Sequence, residues 1–170
     1  MVVCSFSEGL AKVKQNGKYG FIDIMGNIAV DIIYDETSFN FLQGVAVVEL
    51  KNKRGLINNQ GKLVTEIKYN NILDFSEDLA EVWLGQKRGF INKAGVEVIP
   101  PTYAIVGKFS NGLARAYYPN DKWGFIDRTG KQVIAPKYDD AEDFIGGLSA
   151  VSVNGKKFVI DITGKTILVK

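Results

Sequence analysis

Lys122-Trp123-Gly124-Phe125-Ile126-Asp127, closed by Gly130, reads as a short apolar strand running into an Asp-x-x-Gly turn. The same phrase stands at Lys18-Tyr19-Gly20-Phe21-Ile22-Asp23 with Gly26 and at Lys53-Arg54-Gly55-Leu56-Ile57-Asn58 with Gly61. It returns at Lys87-Arg88-Gly89-Phe90-Ile91-Asn92 with Gly95, and a worn copy is Lys156-Lys157-Phe158-Val159-Ile160-Asp161 with Gly164. One unit repeats, so the fold is read as an array of that unit.

A second phrase, Phe-x-x-Gly-Leu-Ala-x-Val, opens each copy. Phe6, Phe41, Phe75, Phe109 and Phe144 follow one another at steps of 35, 34, 34 and 35 residues. The period is close to that of helical tetratricopeptide arrays, but the composition opposes helix. Glycine is frequent, β-branched and aromatic residues fill the apolar runs, and no long window has a 3.6-residue period. The first strand of a copy runs over about Leu10 to Lys14. It carries a small residue (Ala11, Ala46, Ala80, Ala114, Ser149) and, two places on, Val13, Val48, Val82, Ala116 or Val151. This alternation predicts one buried face, with backbones close together at the small residue.

The Gly-Phe-Ile-Asp phrase is the second strand, and its Asx-to-Gly turn predicts a hairpin to a third, such as Glu97-Val98-Ile99. Phe158 replaces the strand glycine in the last copy, so left-handed geometry is not required at that slot. Pro100, Pro101 and Pro136 place the segment after the third strand at a sheet edge or strand end. Tyr34, Tyr69, Tyr103 and Tyr138 each lie eight residues beyond the turn glycine, and each is expected as a partly buried ring with its hydroxyl hydrogen-bonded.

The expected fold is all-β: five tandem repeats of about 34 residues, three or four short strands each, forming a single array over residues 1–170. Two arrangements remain open, a β-propeller-like closed ring and an open β-solenoid. The small residues of the first strand favour an axis and hence the ring. The worn fifth copy favours an open end.

Composition narrows the function. The net charge is +2 and the charges are mixed, which gives no electrostatic footprint for nucleic acid. No run of about 18 apolar residues is present, so no membrane span is expected. The first residues lack the charged and apolar regions of a signal peptide, which fits a cytoplasmic protein or an excerpt of a secreted or larger one. Cys4 is the single cysteine and histidine is absent, which removes disulfides, thiolate metal clusters and the commonest general base. No cofactor, metal or catalytic residue is expected, and the chain is read as a non-enzyme.

The phrases Phe-Ser-x-Gly-Leu-Ala and Lys-Trp-Gly-Phe-Ile-Asp resemble those of WG repeats, also called KWG repeats, and Phe109 to Tyr138 resembles them most. The resemblance covers essentially the whole chain. Tyr19, Arg54, Arg88 and Lys157 stand in the Trp slot of the other copies, and Asp78 replaces one opening glycine. The resemblance implies an interaction or structural module of a kind widespread in bacteria, with no catalytic residues to carry over.

Lys18, Lys53, Lys87, Lys122 and Lys156 precede the Trp slot in every copy. Equivalent positions share one side of an array, so these lysines could form a positive row for an acidic partner. The plainer reading is solvated charges whose stems cover aromatics. Trp83, Tyr117, Tyr118 and Trp123 are unevenly spread and are the aromatic candidates, as a hot spot for a protein or a platform for sugar. The alternative is that they cover the core between copies. Asp23, Asp127 and Asp161 are read as turn residues rather than acid–base groups, because Asn58 and Asn92 replace them elsewhere. The acidic run Asp139, Asp140, Glu142 and Asp143 lacks the ordered spacing of a calcium loop. The functional expectation is a non-catalytic scaffold module that binds a protein partner through a repeat-built surface; the alternative is a carbohydrate-binding module.

Overall fold

The computed structural model describes residues 2–38 and 40–169. All of its named elements are strands, and five antiparallel sheets follow one another along the chain. The first contains β1 (Val2–Ser7), β2 (Leu10–Gln15), β3 (Lys18–Asp23) and β4 (Ile28–Tyr34) in sequential order. The second contains β5 (Glu36–Thr37), β6 (Val45–Leu50) and β7 (Lys53–Asn58). The third is built from β8 (Asn71–Ser76), β9 (Leu79–Leu84), β10 (Lys87–Asn92) and β11 (Glu97–Tyr103). The fourth holds β12 (Leu113–Tyr118), β13 (Lys122–Asp127) and β14 (Gln132–Tyr138). The fifth holds β15 (Asp140–Ala141), β16 (Leu148–Val153), β17 (Lys156–Asp161) and β18 (Thr166–Val169).

The fold class is therefore all-β with five repeats, each a blade-like meander. The sheets are separate from one another, and both arrangements expected from the sequence accommodate them. By contact density the chain divides into two compact units. One is Met1–Ile72 with Lys93–Val96; the other is Leu73–Asn92 with Glu97–Lys170.

The opening phrase forms a two-residue hairpin turn with positive φ at both central residues, as at Glu8 (51°) and Gly9 (80°). Asp78 takes the second of these positions at φ 66°, which Asp tolerates better than most residues, so the turn survives loss of its glycine. At three junctions the turn of one repeat is tied to the turn of the next. The Glu8 carboxylate accepts the backbone N–H groups of Gln43 and Gly44, Glu77 accepts that of Gly112, and Asn111 accepts that of Gly147. The Ser7 and Ser76 hydroxyls donate to the carbonyls of Phe41 and Phe109.

The strand glycine has a steric reason. A Cβ on Gly20 would lie 2.6 Å from the Val30 carbonyl oxygen, and one on Gly124 would lie 2.7 Å from that of Ile134. The outer strand bulges inward there, between the Tyr19 and Phe21 pairings and between those of Trp123 and Phe125. In the last sheet Phe158 and Val159 pair regularly with Val169 and Leu168, and the irregularity moves past the slot. Phenylalanine is tolerated there for that reason.

Repeats dock through apolar contacts. Phe41 meets Phe21, Phe109 meets Phe90 and Phe144 meets Phe125, with ring centroids 4.7, 4.7 and 4.9 Å apart. Phe6 is the exposed member of the series, at 49 %. The small residues Ala11, Ala46, Ala80, Ala114 and Ser149 are all buried, as the alternation requires. Pro100, Pro101 and Pro136 lie in β11 and β14, the outermost strands of their sheets, where a missing N–H costs no ladder bond. The tyrosines need a correction: Tyr34, Tyr69 and Tyr138 are fully buried rather than partly, and the Tyr138 hydroxyl has no hydrogen-bond partner among the described residues.

Candidate functional site

Most recurring polar residues hold the array together. Asp127 accepts the N–H groups of Thr129 and Lys131 and the Thr129 hydroxyl; Asp161 repeats the pattern with Thr163 and Lys165. Asp23 accepts from Met25 and Asn27, and Asn58 makes the same two backbone bonds with Gln60 and Lys62. These bonds hold the three carboxyls below their ordinary range: the Asn27 side chain leads for Asp23, the Thr129 hydroxyl for Asp127 and the Thr163 hydroxyl for Asp161. The acidic run is likewise divided among separate tasks. Asp139 binds Lys122, Asp140 accepts the Ala141 N–H, and Asp143 binds Arg115.

The five lysines occupy the same register position, the first residue of β3, β7, β10, β13 and β17. Their surroundings differ. Lys18 pairs with Asp35 and Lys122 with Asp139, residues that directly follow Tyr34 and Tyr138. The second oxygen of each aspartate accepts a backbone N–H from the next hairpin, Lys51 for Asp35 and Asn154 for Asp139. Each such aspartate is a strut between consecutive repeats, and its lysine leads the causes holding that carboxyl below its ordinary range. Lys53 is half-buried, while Lys156 and Lys87 are exposed.

The aromatic candidates divide in a similar way. Trp123, expected at the surface, is only 9 % exposed and packs in a core cluster with Phe125, Tyr138 and Phe144. The Arg115 guanidinium lies 5.0 Å from its ring centroid, and Tyr117 covers it at 5.2 Å. Trp83 is half-buried, with Arg88 stacked 4.3 Å from its centroid, and its indole N–H donates to Glu81 at 2.6 Å. Glu81 is itself buried, which pushes its carboxyl up; Trp83 and Arg88 oppose that shift.

Tyr117 and Tyr118 remain half-exposed at the end of β12. Together with Lys87 they line a cleft of about 410 Å³, which also includes Tyr103, Ala104 and Pro119. The Tyr117 hydroxyl donates to Asp121 at 3.1 Å, and the Tyr103 and Tyr118 rings meet edge-on at 5.9 Å. Burial, with Tyr103 as the next cause, pushes the Tyr118 phenol up to about 12, so it is a hydrogen-bond donor at neutral pH. The cleft brings together three of the nine sequence-selected residues: Lys87, Tyr117 and Tyr118. Tyr103, Ala104 and Pro119 were missed as site residues. The signal lay in the residue after the repeated tyrosine, which is Asp35, Asn70, Ala104 and Asp139 in turn.

A family described as "WG containing repeat" matches the chain at residues 5–19, 19–53, 55–87, 89–122 and 123–156. No curated protein matches it. Among solved structures, the chain is similar to a eukaryotic initiation factor at 11% identity and a TM-score of 0.59, covering 96% of this chain and 52% of that one. It is also similar to Kluyveromyces lactis Hsv2, a propeller-like protein, at 11% identity and a TM-score of 0.50, covering 95% of this chain and 60% of that one. The chain thus spans between half and two thirds of the length of these structures. At such identities the likeness is one of fold.

Proposed function

The chain belongs to the WG containing repeat family, and from that membership we propose that it is a non-catalytic scaffold module whose repeat-built surface binds a protein partner. A repeat β-fold is compatible with a binding or scaffold role. The observation that carries the reading is the division of labour among its residues. Recurring polar groups such as Glu8, Glu77, Asp35, Asp139, Asp127 and Asp161 are engaged in turns and struts between or within repeats. Half-exposed aromatics with a nearby cation occur where the repeat departs from its own pattern, at Lys87, Tyr117 and Tyr118. Tyrosines beside a positive charge, on a rigid scaffold, are the usual composition of a protein hot spot.

The protein reading is preferred over a sugar platform because one indole, Trp123, is buried and the other, Trp83, already carries the Arg88 guanidinium on its ring. The test is affinity capture with the full chain and with a Lys87→Gln/Tyr117→Ala variant, mass spectrometry of what is retained, and a glycan array in parallel. A defined protein retained by the wild type and lost from the variant supports the proposal. Glycan binding with no protein retained contradicts it.

A further inference from the structure

Where repeats three and four meet, both halves of the aspartate strut are missing. Lys87 begins β10 as Lys18 begins β3 and Lys122 begins β13. The residue after β11 is Ala104, where β4 and β14 are followed by Asp35 and Asp139. The residue after β12 is Pro119, where β6 and β16 are followed by Lys51 and Asn154, whose N–H groups hold those aspartates. Proline has no N–H to donate. Carboxylate and backbone donor are thus replaced together at one junction, and Lys87 stands exposed, with no carboxylate partner among the described residues. The space left is the cleft of about 410 Å³ beside Tyr103 and Tyr118.

We propose that this cleft is a docking site for an acidic peptide segment of a partner protein, which places an aspartate or glutamate carboxylate on the Lys87 ammonium in the position that Asp35 and Asp139 fill at their own junctions. The occupant follows from the molecule itself. At the equivalent lysines the anion is the side chain of an aspartate that directly follows a β-strand. Ala104 removes the side chain that would fill the slot. The Tyr103 and Tyr118 rings and the Pro119 ring supply apolar walls for the neighbouring residues of the peptide. Asp121, held by Tyr117 at the rim, disfavours a second negative charge on that side and so orients the peptide. The inference rests on the reading of the chain as a protein-binding module and names the chemistry of what it binds.

The experiment is an NMR titration of the ¹⁵N-labelled full chain with the blocked peptide Ac-Pro-Asp-Asp-Ala-NH₂, with its Asn-Asn counterpart, and with an oligogalacturonate. The acidic peptide is expected to give saturable shifts at Lys87, Ala104 and Tyr118, and the Asn peptide none. Lys87→Gln should weaken binding by about tenfold or more, as for loss of a charge-assisted contact. Ala104→Asp, which supplies an internal carboxylate, should abolish peptide binding without lowering the melting temperature. Equal shifts with both peptides, or unchanged binding by Ala104→Asp, would overturn the proposal, as would saturable binding of the galacturonate in place of the peptide. If no probe binds while the full chain still captures a protein that Lys87→Gln retains, the cleft assignment fails and the module reading stands.

Discussion

The Phe109 ring meets the Phe90 ring edge-on, with centroids 4.7 Å apart and planes at 63°. Phe109 opens the fourth repeat and Phe90 belongs to the second phrase of the third, so the contact joins the two recurring phrases across a junction. Phe109 is 1 % exposed. Phe109→Ala removes an aromatic from a packed site, and the expected loss of unfolding free energy is about 3–5 kcal/mol. Denaturant titration measures it. A loss under about 1 kcal/mol would mean that the repeated phenylalanine does not hold the junction.

The glycine of the second phrase makes a separate prediction. Gly124→Ala sets a Cβ against the Ile134 carbonyl oxygen, and the neighbour is backbone that cannot swing away. Strain of this kind is expected to cost about 1–3 kcal/mol. Gly17→Ala is the control for a different mechanism: nothing lies near a Cβ at that position, and its cost comes from positive φ alone. If Gly124→Ala melts with the wild type, β14 does not approach β13 as described.

Acid stability follows from the turn aspartates. Asp23, Asp127 and Asp161 have folded-state values below the ordinary 3.8. A depressed carboxyl contributes stability that is complete above the ordinary value and is lost as pH falls through the folded value. The triple variant Asp23→Asn/Asp127→Asn/Asp161→Asn should therefore differ most from the wild type above the ordinary carboxylate value, with melting curves converging as pH falls through the lowered folded values. A difference that grows on acidification would contradict the assignment.

The five-lysine variant, with Gln at positions 18, 53, 87, 122 and 156, is expected to remain folded. Lys18 and Lys122 lose their aspartates, but both pairs are well exposed and solvent screening leaves such bridges a small share of stability. Capture of an acidic partner should weaken and lose its salt dependence. Unchanged salt dependence would exclude these lysines from the contact.

The five-fold periodicity, the hairpins, the edge prolines and the structural role of the turn aspartates were legible because each rests on local chemistry that recurs. The strand glycine was legible as special but not as to cause, since the carbonyl it faces lies on another strand and is set by the bulge between β13 and β14. Burial of Trp123 was hidden for a similar reason: the neighbours that cover it, Tyr117 and Arg115, come from the adjacent strand β12. Tyr138 was expected to find a partner for its hydroxyl and has none among the described residues, its ring being buried in the core cluster. The cleft was not legible because it is made by subtraction, Ala104 and Pro119 standing where the first and fourth copies of the tyrosine are followed by a carboxylate and where β6 and β16 are followed by a residue with an N–H.

The central claim is that repeated polar residues hold the array and that departures from the repeat bind. Asp139→Ala and Lys87→Gln separate the two roles, because they remove opposite partners of the strut at two junctions, the carboxylate where the strut is filled and the lysine where it is empty. Melting temperature and titration with Ac-Pro-Asp-Asp-Ala-NH₂ are measured on both. The account predicts that Asp139→Ala lowers the melting temperature by about 2–4 °C and leaves binding at the Lys87 cleft intact, whereas Lys87→Gln melts with the wild type and loses the peptide. The reverse pattern, or two variants that behave alike in both measurements, would contradict it.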